Sequence, residues 1–380
     1  MKSNIRILII GCLIAAASAC SGSKEESEPA LVADGSQVVN IYNWPDYIAE
    51  DTVRNFEAKT GIKVNYQVYS GNDAMLTQLQ SSPGAFDLIF PSAQPFGKQL
   101  VARGELQALD KSQLGNLRNL DKDILTEISE IDPGNAHLVP YLWGTTGIGL
   151  NVDKVKAALG ADTALDTWAL LFDPANAQKL SKCGIGILDD NHEAFAAMLM
   201  WMGKAPDDYS EEATDAAKDA YAKIRPYVRH TTDSSRLIDG LASGQLCVAL
   251  LYSGDVTQAK GKAEASPEAG VKELRYIIPR EGALRFVDVA AIPKQAKNVA
   301  NAHRFLQYLM EPKTIADISN TVAYANANTA STSMIEPSIA KDPGIYPPAA
   351  IRANLRTAQQ PTEAEATRRK NAWEMMINGL

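Results

Sequence analysis

The stretch Asn40-Ile41-Tyr42-Asn43-Trp44-Pro45-Asp46-Tyr47-Ile48 decides how the chain is read. Residues 38–42 form an apolar alternating run, and the Trp, Pro, Asp and Tyr after it are what a loop at a strand's carboxyl end contains. Such a loop can hold a cation, since an aromatic face attracts ammonium groups and covers methylenes while Asp46 supplies the opposite charge. The alternative is that Trp44 and Tyr47 are ordinary core residues and Asp46 caps a helix. Working outward, residues 51–59 place Val53 and Phe56 on one face and stop at Gly61, which predicts a helix. Residues 62–68 alternate as a half-buried strand, Asn72 can cap a helix through Leu79, and 86–90 is a continuous apolar run that suits a fully buried strand. The order is βαβαβ, followed by a predicted helix over 94–102.

An apolar segment over 138–152, containing Gly144, Gly147 and Gly149, then carries the chain into a second unit. Segments 166–171, 184–188, 193–202, 215–224, 234–242 and 245–252 repeat the alternation of helix and strand. Strands over 274–278 and 286–292 follow, then helices over 299–310, 314–320 and 364–377. The fold class is therefore α/β, with two lobes, each an open, mostly parallel sheet flanked by helices, joined by more than one crossing strand. The expected division is 38–143 with 286–320 in the first lobe and 144–285 with 321–380 in the second.

In open α/β sheets the ligand lies beyond the carboxyl ends of the strands. Those ends carry Trp44 and Asp46, Ser92, Asp189 with Asp190 and Glu193, and Ser253 with Asp255. Unassisted helix N-termini attract anions, so acids recurring at these places reverse the sign and point to a cationic ligand. Each acid could instead cap its own helix. Capping gives no reason for the adjoining aromatics Trp44, Tyr252, Phe286 and Tyr324.

Composition narrows the class. The 380 residues are 46% hydrophobic and 22% charged with a formal net charge of -8, and no basic stripe appears, which argues against nucleic acid. Lys2 and Arg6 precede an uncharged apolar run over 7–19, read as a signal peptide spanning 1–19. Ala17-Ser18-Ala19-Cys20 resembles the lipobox of bacterial lipoproteins, which makes Cys20 the lipidation candidate and 20–37 a flexible tether anchoring the chain to a membrane by lipid; Ala17 replaces the usual Leu, so plain signal-peptidase cleavage after Ala19 is the alternative. Cys183 and Cys247 remain in the folded body, as a disulfide or as two buried thiols. The four histidines lack metal-ligand spacing, so no metal is expected, and no cofactor motif is present. A carboxylate-based glycan hydrolase stays as an alternative because acids with aromatics also suit sugars.

Longer matches identify a relative. The segments NIYNWPDYIAEDTVRNFEAKTGIKV (40–64), FDLIFPSA (86–93), PYLWGTTGIGLNVDKVKAALG (140–160), YANAN (324–328) and DPGIYPPA (342–349) resemble the periplasmic polyamine-binding proteins of bacterial ABC importers, most of all the putrescine-binding branch. The resemblance implies a two-lobed type II periplasmic-binding-protein fold that closes as a monomer on a linear polyamine and delivers it to the importer's membrane subunits, without catalysis. It places ligand contacts at Trp44, Asp46, Ser92, Glu193, Tyr252, Asp255, Phe286, Asp288 and Tyr324, with Asp190 where spermidine-preferring relatives carry an acid. On these positions we assign Asp255 and Asp288 with Tyr324 to one ammonium, Asp46, Ser92 and Glu193 to the other or to ordered water near it, and Trp44, Tyr252 and Phe286 to the methylenes. The resemblance also favours a Cys183–Cys247 disulfide. Pro45 and Tyr252 depart from the family's usual hydroxyl residue and Trp, and Phe286 is the putrescine branch's residue. A polyamine-sensing lipoprotein is the other reading of the same resemblance.

Overall fold

Val39 and Ile41 are fully buried and anchor the strand β1 (Val38–Asn43), which pairs in parallel with β2 (Lys63–Val68) on one side and β3 (Leu88–Ile89) on the other. This computed structural model describes residues 37–357, 359 and 361–380; the expected signal segment, residues 20–36 and the Cys20 lipid position lie outside the described residues. The second flank is also parallel, with β5 (Ile185–Leu188) between β6 (His230–Thr232) and β7 (Val248–Tyr252). Between the flanks run β4 (Leu138–Asn151) and β9 (Ala283–Ala291), antiparallel to each other, so the order is β2-β1-β3-β9-β4-β7-β5-β6. Three further strands, β8 (Leu274–Ile277), β10 (Ala325–Asn326) and β11 (Leu355–Arg356), pair with β4, β4 and β9.

All residues of β4 are buried, which explains its near-continuous apolar sequence. Its first half pairs with β9 as far as Thr145, and from Thr146 onward it pairs with β7. One strand thus passes from one hydrophobic core into the other. The first core gathers Phe56, Phe90, Leu142, Val289, Phe305 and Ile318. The second gathers Trp168, Phe195, Tyr221, Leu250, Val256 and Trp373.

The C-terminal segment divides between them, where the sequence placed 321–380 as one piece in the second lobe. Tyr324, Ile335 and Ile345 pack in the first core because β10 pairs with Trp143 and Leu142, whereas Ala372, Trp373 and Met376 pack in the second. The helix expected over 94–102 is also interrupted. Gln94 has extended backbone angles before Pro95, and a regular helix starts only at Lys98–Ala102. Cys183 and Cys247 form a disulfide with Cα atoms 5.4 Å apart, tying the end of the helix Pro174–Leu180 to the start of β7.

Candidate functional site

The site is built on the two crossing strands. Gly144 pairs with Phe286 on β9 and Thr146 with Tyr252 on β7. Residues two apart on a strand share a face, so Phe286 and Tyr252 come side by side, with ring centroids 5.3 Å apart and nearly perpendicular. Gly144 makes this possible, since a Cβ there would lie 2.7 Å from Phe286 Cζ. Asp288, two residues beyond Phe286, shares that face and forms an isolated bridge with Ser92 at the end of β3.

Trp44 stands at the rim, half-buried, its indole fixed by donation from Nε1 to the Phe90 carbonyl at 2.8 Å. Asp46 is exposed and adopts a left-handed φ of 51°, which Asp tolerates better than most residues. It is not a helix cap. The next helix, Glu50–Thr60, takes Ala49 at its N-cap.

The acids deeper in the site differ in how they are held. Asp288 Oδ1 accepts from Ser92 Oγ and Oδ2 from Tyr47 Oη, both at 2.8 Å. Asp255, in the first turn of the helix Ser253–Ala265 that springs from β7, accepts from Tyr324 Oη at 2.8 Å and leaves Oδ2 buried without a partner. Glu193, in the first turn of the helix Asn191–Trp201, leaves Oε2 in the same condition. The Thr146 hydroxyl faces Glu193 and eases its burial, yet Thr146 Oγ1 also lacks a partner of hydrogen-bonding geometry. Asp190 is a cap, with Oδ1 accepting from the backbone N–H groups of His192 and Glu193.

Burial dominates the electrostatics. It pushes the carboxyls of Asp255 and Asp288 up to about 7, and burial with the neighbouring Asp190 pushes Glu193 up to about 8. Burial likewise raises the Asp190 carboxyl and lowers the His192 imidazole, the latter against the pull of Asp190. Among the described residues no Lys or Arg forms an ion pair with Asp46, Asp190, Glu193, Asp255 or Asp288. What results is a desolvated, acidic, aromatic-walled site with open acceptor positions.

The structure brings together the aromatic pair Tyr252 and Phe286, with Tyr324 6.1 Å from Phe286 between ring centroids. Ser92 does not stand apart with Asp46 and Glu193 but donates to Asp288, because the bridge between residues 92 and 288 sets them opposite each other. Tyr47 is the residue that sequence reasoning missed. It donates to Asp288 and packs its ring 5.1 Å from that of Tyr324, so it links the two hydrogen-bonded acids. The signal was its place two residues after Trp44-Pro45, yet a buried Tyr there reads equally as core. Asn72 holds Ser92 in turn, with Nδ2 donating to Ser92 Oγ and Oδ1 accepting from Ser92 N–H, each at 3.1 Å.

Comparison with known proteins agrees with this architecture. The family of bacterial extracellular solute-binding proteins matches residues 51–347. The chain is 44% identical over 353 residues to the putrescine-binding periplasmic protein PotF of Escherichia coli, covering 92% of this chain and 93% of that protein. It is 43% identical over 325 residues to the putrescine-binding periplasmic protein SpuD of Pseudomonas aeruginosa, covering 86% and 88%. The structure of PotD, a spermidine/putrescine ABC transporter substrate-binding protein of Streptococcus pneumoniae, shares the fold with a TM-score of 0.72 at 23% identity, over 90% of this chain and 100% of that one. The two-lobed chain with its site on the crossing strands thus belongs to the bacterial extracellular solute-binding protein family.

Proposed function

We propose that this chain captures a linear polyamine of the putrescine–spermidine class between its lobes and delivers it to the membrane subunits of an ABC importer. The observation that carries the reading is the burial of Glu193, Asp255 and Asp288 in one site without a cationic partner among the described residues. Desolvated carboxylates are unfavourable until an opposite charge arrives, and an alkyl diammonium supplies two while its methylenes need apolar walls. Asp255 with Tyr324 and Asp288 with Tyr47 and Ser92 offer the acceptors nearest the floor, Glu193 and Asp46 offer further charge, and Trp44, Tyr252 and Phe286 offer the walls. Asp190 already commits Oδ1 to its helix, so we assign it a supporting role.

Magnitudes support the use of several acids. A cation–π contact contributes about 0.5 to 2 kcal/mol, whereas micromolar affinity needs about 8 kcal/mol. Carboxylates from both lobes acting together close that gap. The names of PotF and SpuD as putrescine-binding periplasmic proteins favour the same ligand class and compartment. We place the chain in the periplasm, held to a membrane by a lipid on Cys20; palmitate labelling that is lost in Cys20→Ser is the expected result, and an unlabelled wild-type chain counts against the anchor.

The test of the ligand class is a thermal-shift panel of putrescine, cadaverine, agmatine, spermidine and spermine on purified protein. A ligand that binds only the folded state raises the melting temperature, so at least one diamine should do so strongly. No shift with any amine overturns the proposal.

A further inference from the structure

The acids of the site differ in the donors that meet them. Asp288 has a hydroxyl donor on each oxygen, Asp255 has one on Oδ1 and none on Oδ2, and Glu193 has none on Oε2 and only the Thr146 hydroxyl nearby, itself without a partner of hydrogen-bonding geometry. All three are at most 8% exposed. A buried carboxylate is tolerated in proportion to the hydrogen bonds that replace its water, so Glu193 is the least able to hold a charge.

The groups that face these acids do not offset them. Around Glu193 lie Asp190 and His192 on its own helix, Thr146 on β4, and the phenols of Tyr209, Tyr252 and Tyr276. Asp288 also faces it across the site. Asp255 is faced by Tyr324, Tyr252 and Tyr276 and senses Asp46. Asp288 is faced by Tyr47, Tyr69 and Tyr141. The buried cation behind His192 is Arg369, which forms no ion pair with these acids and whose Nε and Nη1 are buried without a partner. Its guanidinium stacks over Tyr209 at 4.1 Å and Phe195 at 5.2 Å, and Nη2 donates to the Asp208 carbonyl at 2.7 Å.

We propose that ligand capture is coupled to proton release, with Glu193 as the principal proton store: the empty site holds a proton on Glu193 at neutral pH, and an alkyl diammonium displaces it. The carboxyl O–H gives its proton to solvent, the carboxylate left behind pairs with an ammonium, and the ligand's own protons stay in place. This rests on the diammonium reading of the site and adds to it a dependence on pH. As pH falls, protons compete with the ligand, and one displaced proton makes the affinity fall about tenfold per pH unit. The raised carboxyls of the site agree with this.

The test is isothermal titration of the purified full chain with putrescine at pH 7 in phosphate and in Tris, whose heats of ionisation differ widely. Proton release makes the apparent enthalpies differ, by an amount corresponding to about one proton or more per ligand. Saturable binding with the same enthalpy in both buffers overturns the coupling and leaves the diammonium reading standing. No saturable binding in either buffer overturns both. In Glu193→Gln the number of protons released should fall by at least half, and an unchanged number in the folded variant overturns the assignment to Glu193. The wild-type comparison does not depend on that variant's folding.

Discussion

Replacing Asp255 by Asn should make the unliganded protein more stable and a worse binder. Asp255 is 4% exposed, accepts one hydrogen bond and keeps Oδ2 without a partner. Burial raises its carboxyl from 3.8 to about 7. At about 1.4 kcal/mol per pH unit this corresponds to about 4 kcal/mol against the ionised form in the folded chain. The sign is set by which state ionises first. The unfolded chain loses its proton near pH 4 and the folded one only near 7, so stability is lost as pH rises between these values and the full penalty is present above 7. Asn keeps an acceptor for Tyr324 and carries no charge. Removing most of the penalty should stabilise the empty protein by about 2 to 4 kcal/mol at pH 8, or about 3 to 6 °C in melting temperature for a chain of this size. Binding should move the other way, because losing a hydrogen bond to a charged group costs about 1.5 to 3 kcal/mol, which is about 10- to 150-fold in Kd. Scanning calorimetry without ligand and titration calorimetry with putrescine, both at pH 8, read the two effects. An Asn variant that melts below the wild type refutes the uncompensated charge, and an unchanged Kd refutes the site.

The remaining predictions concern other parts of the same frame. In Gly254→Ala a Cβ would lie 2.3 Å from Tyr324 Cε2, so the ring must move away from Asp255; putrescine affinity should drop at least about tenfold with the circular dichroism spectrum unchanged, and wild-type affinity would show that the Tyr324 contact is dispensable. Because Glu193, Asp255 and Asp288 are all raised, the rise in melting temperature caused by saturating putrescine should grow between pH 5 and pH 8, and a rise that shrinks over that interval contradicts the assignment. The Cys183–Cys247 disulfide spans a sequence separation of 64, for which chain entropy gives about 4 kcal/mol, so the double Ser variant should melt about 6 °C lower while keeping its affinity; equal melting temperatures would show that the bridge adds no stability.

Much of the site was legible because strand periodicity and the strand-end rule act locally. Trp44, Glu193 and Asp255 are found at the carboxyl ends of apolar runs, and Phe286 with Asp288 share one face by simple alternation. Partnerships across the chain were not legible. Tyr47 meets Asp288 across 241 positions and Tyr324 meets Asp255 across 69, and no local pattern brings either pair together. The regrouping of Ser92 with Asp288 has the same origin. The division of the C-terminal segment between two cores depended on β10, two residues long and too short to register as a strand in the sequence. Asp190 shows the reverse case, where the local reading as a cap describes the bonds that the residue makes.

The position of the site on β4 and β9 ties recognition to the relation between the lobes. These strands carry Gly144, Thr146, Phe286 and Asp288, and they also carry the chain from one core to the other. Any separation of the lobes that admits water to Glu193 and Asp255 lowers the cost of ionising their carboxyls, so ionisation of the empty site favours the hydrated arrangement. If the ligand is a diammonium, as proposed, it removes that preference by supplying the missing charge where acids of both lobes reach it together. Taking an equilibrium from 1:99 to 99:1 needs about 5.5 kcal/mol of differential binding. Two charge-assisted hydrogen-bonded pairs, at about 1.5 to 3 kcal/mol each, approach that figure without new contacts elsewhere. On the diammonium reading, the cost of ionising these buried acids is what makes closure conditional on the ligand.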